Sequence, residues 1–302
     1  MTTAFYTHPV CKLHEMGANH PESPGRLTAI EEHTRALKLM HCEAPLATED
    51  ELASVHTREL ISYIKEHTPE SDYYAIDGDT ILNPSSWTAA RAAAGAALAA
   101  TKAVLAGEID NAFCSIRPPG HHATPDKAMG FCLFNNIALA AKFALDQHGL
   151  DRIAIVDFDV HHGNGTQAAF EHDSRVLMVS FFQHPCYPFS GSDPKSENMH
   201  NVPVPAFTDG VFIRSLVEQN WLPALHAHQP QMIFISAGFD AHREDTIGQL
   251  RLVEEDYAWM TAQIMQIAGQ YAEGRIVSCL EGGYHLSALG RSVAAHIKTL
   301  VT

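Results

Sequence analysis

Positive charge is scarce in this 302-residue chain. Its 20 Lys and Arg stand against 35 Asp and Glu, a formal net charge of −15, and no run of five basic residues occurs. A nucleic-acid surface needs clustered Lys and Arg to neutralise phosphates, so that partner class is excluded. Cysteine is sparse and scattered. Cys11, Cys42, Cys114, Cys132, Cys186 and Cys279 include no C-x-x-C pair, and read as reduced thiols rather than as a disulfide framework. The N-terminus, MTTAFYTHPVCKLHEMG, lacks the basic start and apolar run of a signal peptide. The most apolar stretch, residues 88–107, is Ala-rich but carries Arg91 and Lys102, which suits a buried amphipathic helix better than a membrane span. A reducing cytoplasm and no membrane partner are expected. Three catalytic signatures are also missing: the G-x-x-x-x-G-K-[ST] phosphate loop, the G-x-S-x-G nucleophile turn and the H-E-x-x-H zinc helix.

No repeat, low-complexity segment or Gly/Ser linker divides the chain, so residues 1–302 are expected to form one domain. Five short apolar runs recur instead, each ending in an unusual polar cluster. Residues 112–116 (AFCSI) lead into RPPGHHA, 152–158 (RIAIVDF) into DVHHGNGT, and 176–181 (VLMVSF) into FQHPCYP. Residues 232–236 (MIFIS) lead into AGFDAH, and 276–280 (IVSCL) into EGGYH. Near-continuous apolar runs suit strands covered on both faces. Helical patterns between them, clearest over 134–147 and 256–271, make the fold class α/β with a mostly parallel sheet. Ligand sites of such sheets form at the carboxyl ends of the strands, so the five clusters are expected to converge on one rim.

Asp157, Asp159 and His161 alternate along an emerging strand and share one face. Asp240 follows a neighbouring strand. Two carboxylates and one imidazole leave tetrahedral Zn2+ an open position, as a catalytic zinc requires. His121 and His122 follow a rigid Pro-Pro-Gly turn and are candidates for proton transfer. Gly282 and Gly283 place Tyr284 where its hydroxyl can donate to a developing oxyanion. The G-x-G-x-x-A string at 163–168 matches a dinucleotide fingerprint, but two His separate it from its strand, which displaces the turn that fingerprint needs. The chain holds 20 His, as many as its Lys and Arg together, yet only His121, His122 and His161 acquire a chemical role.

In combination these clusters resemble the zinc-dependent histone deacetylase family of the arginase/deacetylase fold. The match runs from His20-Pro21-Glu22-Ser23-Pro24 and Arg26, through RPPGHHA, GFCLFNN, DFDVHHGNGTQ and SAGFDAH, to LEGGYH. Asn164 and Glu281 resemble the class II branch, in the manner of bacterial histone deacetylase-like amidohydrolases. The resemblance implies a three-layer α/β/α domain with Asp159, His161 and Asp240 as zinc ligands. It implies His122 as the general base and then the acid, with Asn164 orienting it. His121 would be an electrostatic partner held by Asp157, and Tyr284 would polarise the amide carbonyl. Gly130 and Phe131 match one wall of an acyl-lysine tunnel; either Tyr187 or Phe189 fits the opposite wall. Asp157, Asp159, His161, Ser180 and Phe181 match a site for K+ or Na+, and Phe170, Asp173 and Val176 match part of a second. The implied substrate is acyl-lysine or another acylated amine. Acetylpolyamine amidohydrolases share the motifs, but Ile247 stands where the polyamine-specific branch can place a carboxylate, with Glu244 and Asp245 a short register shift away. A catalytically silent acyl-lysine-binding module is the reading of a different class, and retention of every polar motif residue argues against it.

Overall fold

The structure is a computed structural model that describes residues 1–193 and 196–302. In chain order its elements begin with β1 (Thr3–Thr7), α1 (Gly25–Thr34), β2 (Met40–Glu43), α2 (Glu49–Leu52), α3 (Arg58–His67), β3 (Tyr74–Ala75) and β4 (Ile81–Leu82). The centre follows as α4 (Ser86–Leu105), β5 (Asn111–Cys114), α5 (Asn136–His148), β6 (Ile153–Asp157), α6 (Asn164–Phe170), β7 (Val176–Gln183) and β8 (Met199–Val204). The chain ends with α7 (Gly210–Leu216), α8 (Leu222–His228), β9 (Met232–Ala237), α9 (Glu254–Tyr271), β10 (Ile276–Leu280) and α10 (Leu286–Val301).

Eight strands form one sheet in the order β2-β1-β5-β10-β9-β6-β7-β8, and every pairing in it is parallel. All five expected strands are present, each fully buried. Alternation within them sends side chains into two cores. Ala154 and Val156 pack with Phe158, Tyr257 and Ile297 beneath α9 and α10, whereas Ile153 and Ile155 pack with Ala97 and Ile137 beneath α4 and α5. The result is the expected three-layer α/β/α architecture.

Helix boundaries moved where side chains cap. The Asn135 side chain accepts from Ala138 N at 2.9 Å, so the helix expected from 134 opens at Asn136. Asp256 accepts from Val253 N at 2.9 Å and sits inside the first turn of α9, which therefore opens at Glu254. No helix among the described residues is long and apolar enough to cross a membrane. All six cysteines are free thiols.

Candidate active site

The strands β5, β10, β9 and β6 are consecutive neighbours in the sheet. Their carboxyl ends carry, in that order, His121 and His122, then Tyr284, then Asp240, then Asp159 and His161. The clusters scattered along the sequence therefore meet on one rim because the sheet order makes their strands adjacent.

Asp159, His161 and Asp240 are buried, and one ligand atom from each lies within 4.8 Å of the others. His161 Nδ1 stands 3.0 Å from Asp159 Oδ1 and 3.1 Å from Asp240 Oδ2. The remaining oxygens are held by main chain: Asp159 Oδ2 accepts from Gly282 N at 2.8 Å, and Asp240 Oδ1 accepts from Val160 N at 2.9 Å. Asp240 Oδ2 is buried without a hydrogen-bond donor of proper geometry. With two buried carboxylates against one imidazole, the negative charge is costly unless a cation neutralises it. Burial disfavours a charged His161, yet its contacts to Asp159 and Asp240 override this and raise its pKa well above the ordinary range. Burial and the Asp159 charge lift Asp240 to about 6. The cluster is thus short of positive charge, and its O, N, O donor set with room for a fourth ligand fits a divalent metal. Glycines keep the surroundings tight. A Cβ on Gly238 would stand 2.0 Å from Asp159 Oδ2, and one on Gly282 would stand 2.1 Å from Asp240 Oδ2.

Beside this cluster the two imidazole rings of His121 and His122 lie 4.0 Å apart between centroids. His121 Nδ1 is 3.0 Å from Asp157 Oδ2. Burial opposes its charge, but Asp159 and Asp157 outweigh burial and raise its pKa to about 10, so it is an imidazolium near neutrality. His122 is pushed the other way, by burial first and then by His121 and His161. His122 Nδ1 is 2.8 Å from Asn164 Oδ1, while Asn164 Nδ2 donates to His122 O at 3.3 Å. An amide oxygen only accepts, so Nδ1 carries the hydrogen and Nε2 presents a lone pair. The surroundings thus favour the charged form of His121 and the neutral form of His122.

A cavity of about 150 Å³ opens onto these groups, lined by His122, His161, Gly130, Phe131, Tyr187, Ile247 and Tyr284, with Asp79 at its wall. Phe131 stands edge-on to Tyr284 at 5.8 Å, and Tyr187 edge-on to His122 at 5.1 Å. Of the two aromatics left open by the sequence, Tyr187 forms the wall, and Phe189 is 73% exposed outside the cavity. Gly130 has a φ of 57° and abuts both His122 and Tyr187, so a side chain there would close the cavity. Glu244 pairs with Arg291, and Asp245 Oδ2 accepts from Tyr284 N at 2.7 Å and His285 N at 3.1 Å. These two carboxylates are engaged elsewhere, so Ile247 is the residue that this loop contributes.

Several supporting residues carried no signal in the sequence beyond their motif. The Glu281 carboxylate accepts from Gly120 N at 2.7 Å, His121 N at 3.1 Å and Ser236 Oγ at 3.1 Å, pinning the turn beneath the His pair. Burial raises its pKa to about 7. Arg26 donates to the carbonyls of Gly283 and Glu281, and its guanidinium lies 5.0 Å from the Tyr284 ring centroid. The G-x-G string has a packing role: Gly165 N donates to His121 O at 3.0 Å, and a Cβ on Gly165 would stand 2.2 Å from Ala123 O. Those glycines let α6 approach the His-bearing turn. His162 stands behind the site, with Nδ1 2.8 Å from Ser190 Oγ and Nε2 2.8 Å from Gln167 Oε1. Asp157 and Ser180 are register partners across β6 and β7, with Phe181 buried beside them. Phe170, Asp173 and Val176 lie at the far end of α6, away from the cavity.

Comparison with known proteins gives the chain a family and its fold a counterpart. The family described as "Histone deacetylase domain" matches residues 20–300. The histone deacetylase-like amidohydrolase of Pseudomonas aeruginosa is 36% identical over 93% of this chain and 81% of its own length. The polyamine deacetylase HDAC10 of Mus musculus is 36% identical over 99% of this chain, which spans 46% of that protein. The crystal structure of the HDA15 HD domain superposes with a TM-score of 0.92 at 34% identity, covering 99% of this chain and 89% of that one. A domain match over nearly the whole length, on a shared fold, places the chain among the hydrolases of the histone deacetylase family.

Proposed function

We propose that this chain hydrolyses the amide bond of an acylated amine, foremost acyl-lysine, with Zn2+ held by Asp159, His161 and Asp240. The observation that carries the reading is the opening of one small cavity onto the ligand cluster, a neutral His122 and Tyr284 together. Zinc bound there would polarise the amide carbonyl as a Lewis acid and lower the pKa of the attacking water. His122 Nε2 accepts the proton of that water, since Asn164 holds the other ring hydrogen on Nδ1. His121, kept cationic by Asp159 and Asp157, stabilises the negative charge that develops beside it. The Tyr284 hydroxyl donates to the carbonyl oxygen as it becomes an oxyanion. His122 then returns its proton to the leaving amine nitrogen. Phe131 and Tyr187 face the aliphatic part of the substrate, and exclude water from it. A monovalent cation, K+ or Na+, at Asp157, Asp159, His161, Ser180 and Phe181 belongs to the same reading.

Ile247 favours acyl-lysine over an acetylpolyamine, because its apolar side chain cannot pair with a second ammonium group and leaves Asp79 as the single carboxylate among the described residues of the cavity lining. Metal analysis and turnover test the proposal together. One zinc per chain is expected, with chelator-sensitive hydrolysis of acetyl-lysine peptides faster than that of acetylspermidine. Two manganese ions per chain, or no amide hydrolysis with zinc bound, would overturn the reaction. Acetylspermidine turned over ten times faster would overturn only the substrate.

A further inference from the structure

The second monovalent-cation position implied by the resemblance is filled by protein. The main-chain carbonyls of Phe170, Asp173 and Val176 converge on a single atom, Nδ2 of Asn198, which donates to them at 2.9, 3.1 and 2.9 Å. The opposite end of that amide fixes its orientation. Ser196 Oγ donates to Asn198 Oδ1 at 2.7 Å, and turning the amide over would set Oδ1 against three carbonyl oxygens. Converging carbonyl dipoles are the donor set of a weakly hydrated monovalent cation. Here the positive end of an amide dipole occupies their focus.

The three carbonyls also belong to one turn. Asp173 N donates to Phe170 O at 2.9 Å, and Val176 N donates to Asp173 O at 3.0 Å. That turn joins the last residue of α6 to the first of β7, and Asn198 itself precedes β8. The amide therefore ties the C-terminal end of α6 to the sheet, and the other end of α6 carries Asn164, which orients His122. Two amide hydrogens serve three acceptors, so the contact is shared rather than one-to-one.

We infer that the Asn198 side-chain amide stands permanently in place of the second monovalent cation, so that the α6–β7 turn is held without an ion. The inference is independent of zinc and of the substrate.

Thermal unfolding of wild type, Asn198→Ala and Asn198→Asp in tetramethylammonium, Na+ and K+ chlorides at equal ionic strength tests it. An ion bound only by the folded state raises Tm by mass action. Removing the amide opens the carbonyl cluster, and a carboxylate there repels the carbonyls unless a cation intervenes. Both variants should therefore gain several degrees more than wild type on exchange of tetramethylammonium for K+, most in Asn198→Asp. Any cation at the Asp157–Ser180 site is common to all three proteins and cancels. Equal K+ responses in the three proteins would overturn the inference. A second measurement needs no variant: wild-type crystals soaked in thallous ion, a K+ surrogate with anomalous scattering. The expected map has no thallium among the carbonyls of Phe170, Asp173 and Val176. An anomalous peak there with the Asn198 side chain displaced refutes the inference even if neither variant folds.

Discussion

Replacing Tyr284 by Phe removes one oxygen and should leave the ring where it is. The main chain at this residue is held by Asp245 through Tyr284 N and His285 N, and the ring is placed by the Arg26 guanidinium and the edge of Phe131. None of these contacts involves the hydroxyl. The variant should then lose only a donor that acts when the carbonyl oxygen becomes negative. One such donor is worth about 3 kcal/mol in a water-excluded site. At about 1.4 kcal/mol per tenfold, kcat should fall roughly 100- to 1000-fold while KM changes little. Burial and the nearby Asp240 charge hold the phenol pKa well above its usual range, so the loss should be constant from pH 6.5 to 9. The assay is steady-state hydrolysis of an acetyl-lysine peptide, with zinc content and Tm measured on the same samples. A variant with full zinc, unchanged Tm and kcat within threefold of wild type would refute the oxyanion role. A variant that lost zinc would instead show that Tyr284 supports the metal cluster.

Other consequences follow from burial and close contact. Glu281 has a folded pKa of about 7 against an ordinary 4.5, a raised value, so its contribution to stability is complete below 4.5 and is lost as pH rises through 7. At about 1.4 kcal/mol per pH unit that loss is about 3 kcal/mol, and Glu281→Gln should grow more stable relative to wild type between pH 5 and pH 8 in thermal melts. A stability difference that stays flat with pH would contradict the buried charge. Gly282→Ala places a Cβ 2.1 Å from Asp240 Oδ2, so metal affinity by competitive chelator titration should drop at least about tenfold. Ile247→Glu puts a carboxylate on the cavity wall and should raise the acetylspermidine to acetyl-lysine ratio of kcat/KM about tenfold; an unchanged ratio would remove Ile247 as a specificity determinant. Asn164→Ala should lower kcat with zinc retained, because Nδ1 of His122 loses the acceptor that fixes its hydrogen.

The polar clusters were legible in the sequence because each is local. Asp157, Asp159 and His161 fall at every second residue where β6 runs out, although Asp159 and His161 lie in the bend beyond its last residue, Asp157, and apolar runs mark the buried strands that precede the clusters. The outer strands were less visible. β2 is short and largely exposed, and β8 contains Pro203 at the sheet edge, so neither shows a continuous apolar run.

By itself, then, the sequence determined the fold class, the order of the strands with their clusters, and the residue types that can hold zinc and move protons. Tertiary structure alone decided which aromatic forms the cavity wall, since a turn has no periodicity from which the direction of Tyr187 or Phe189 can be read. It also decided that Glu244 and Asp245 face Arg291 and two backbone amides instead of the cavity. The Asn198 amide belongs with these. Nothing around it marks a ligand, because its partners are carbonyl groups, which every residue carries, and only folding brings three of them to one point.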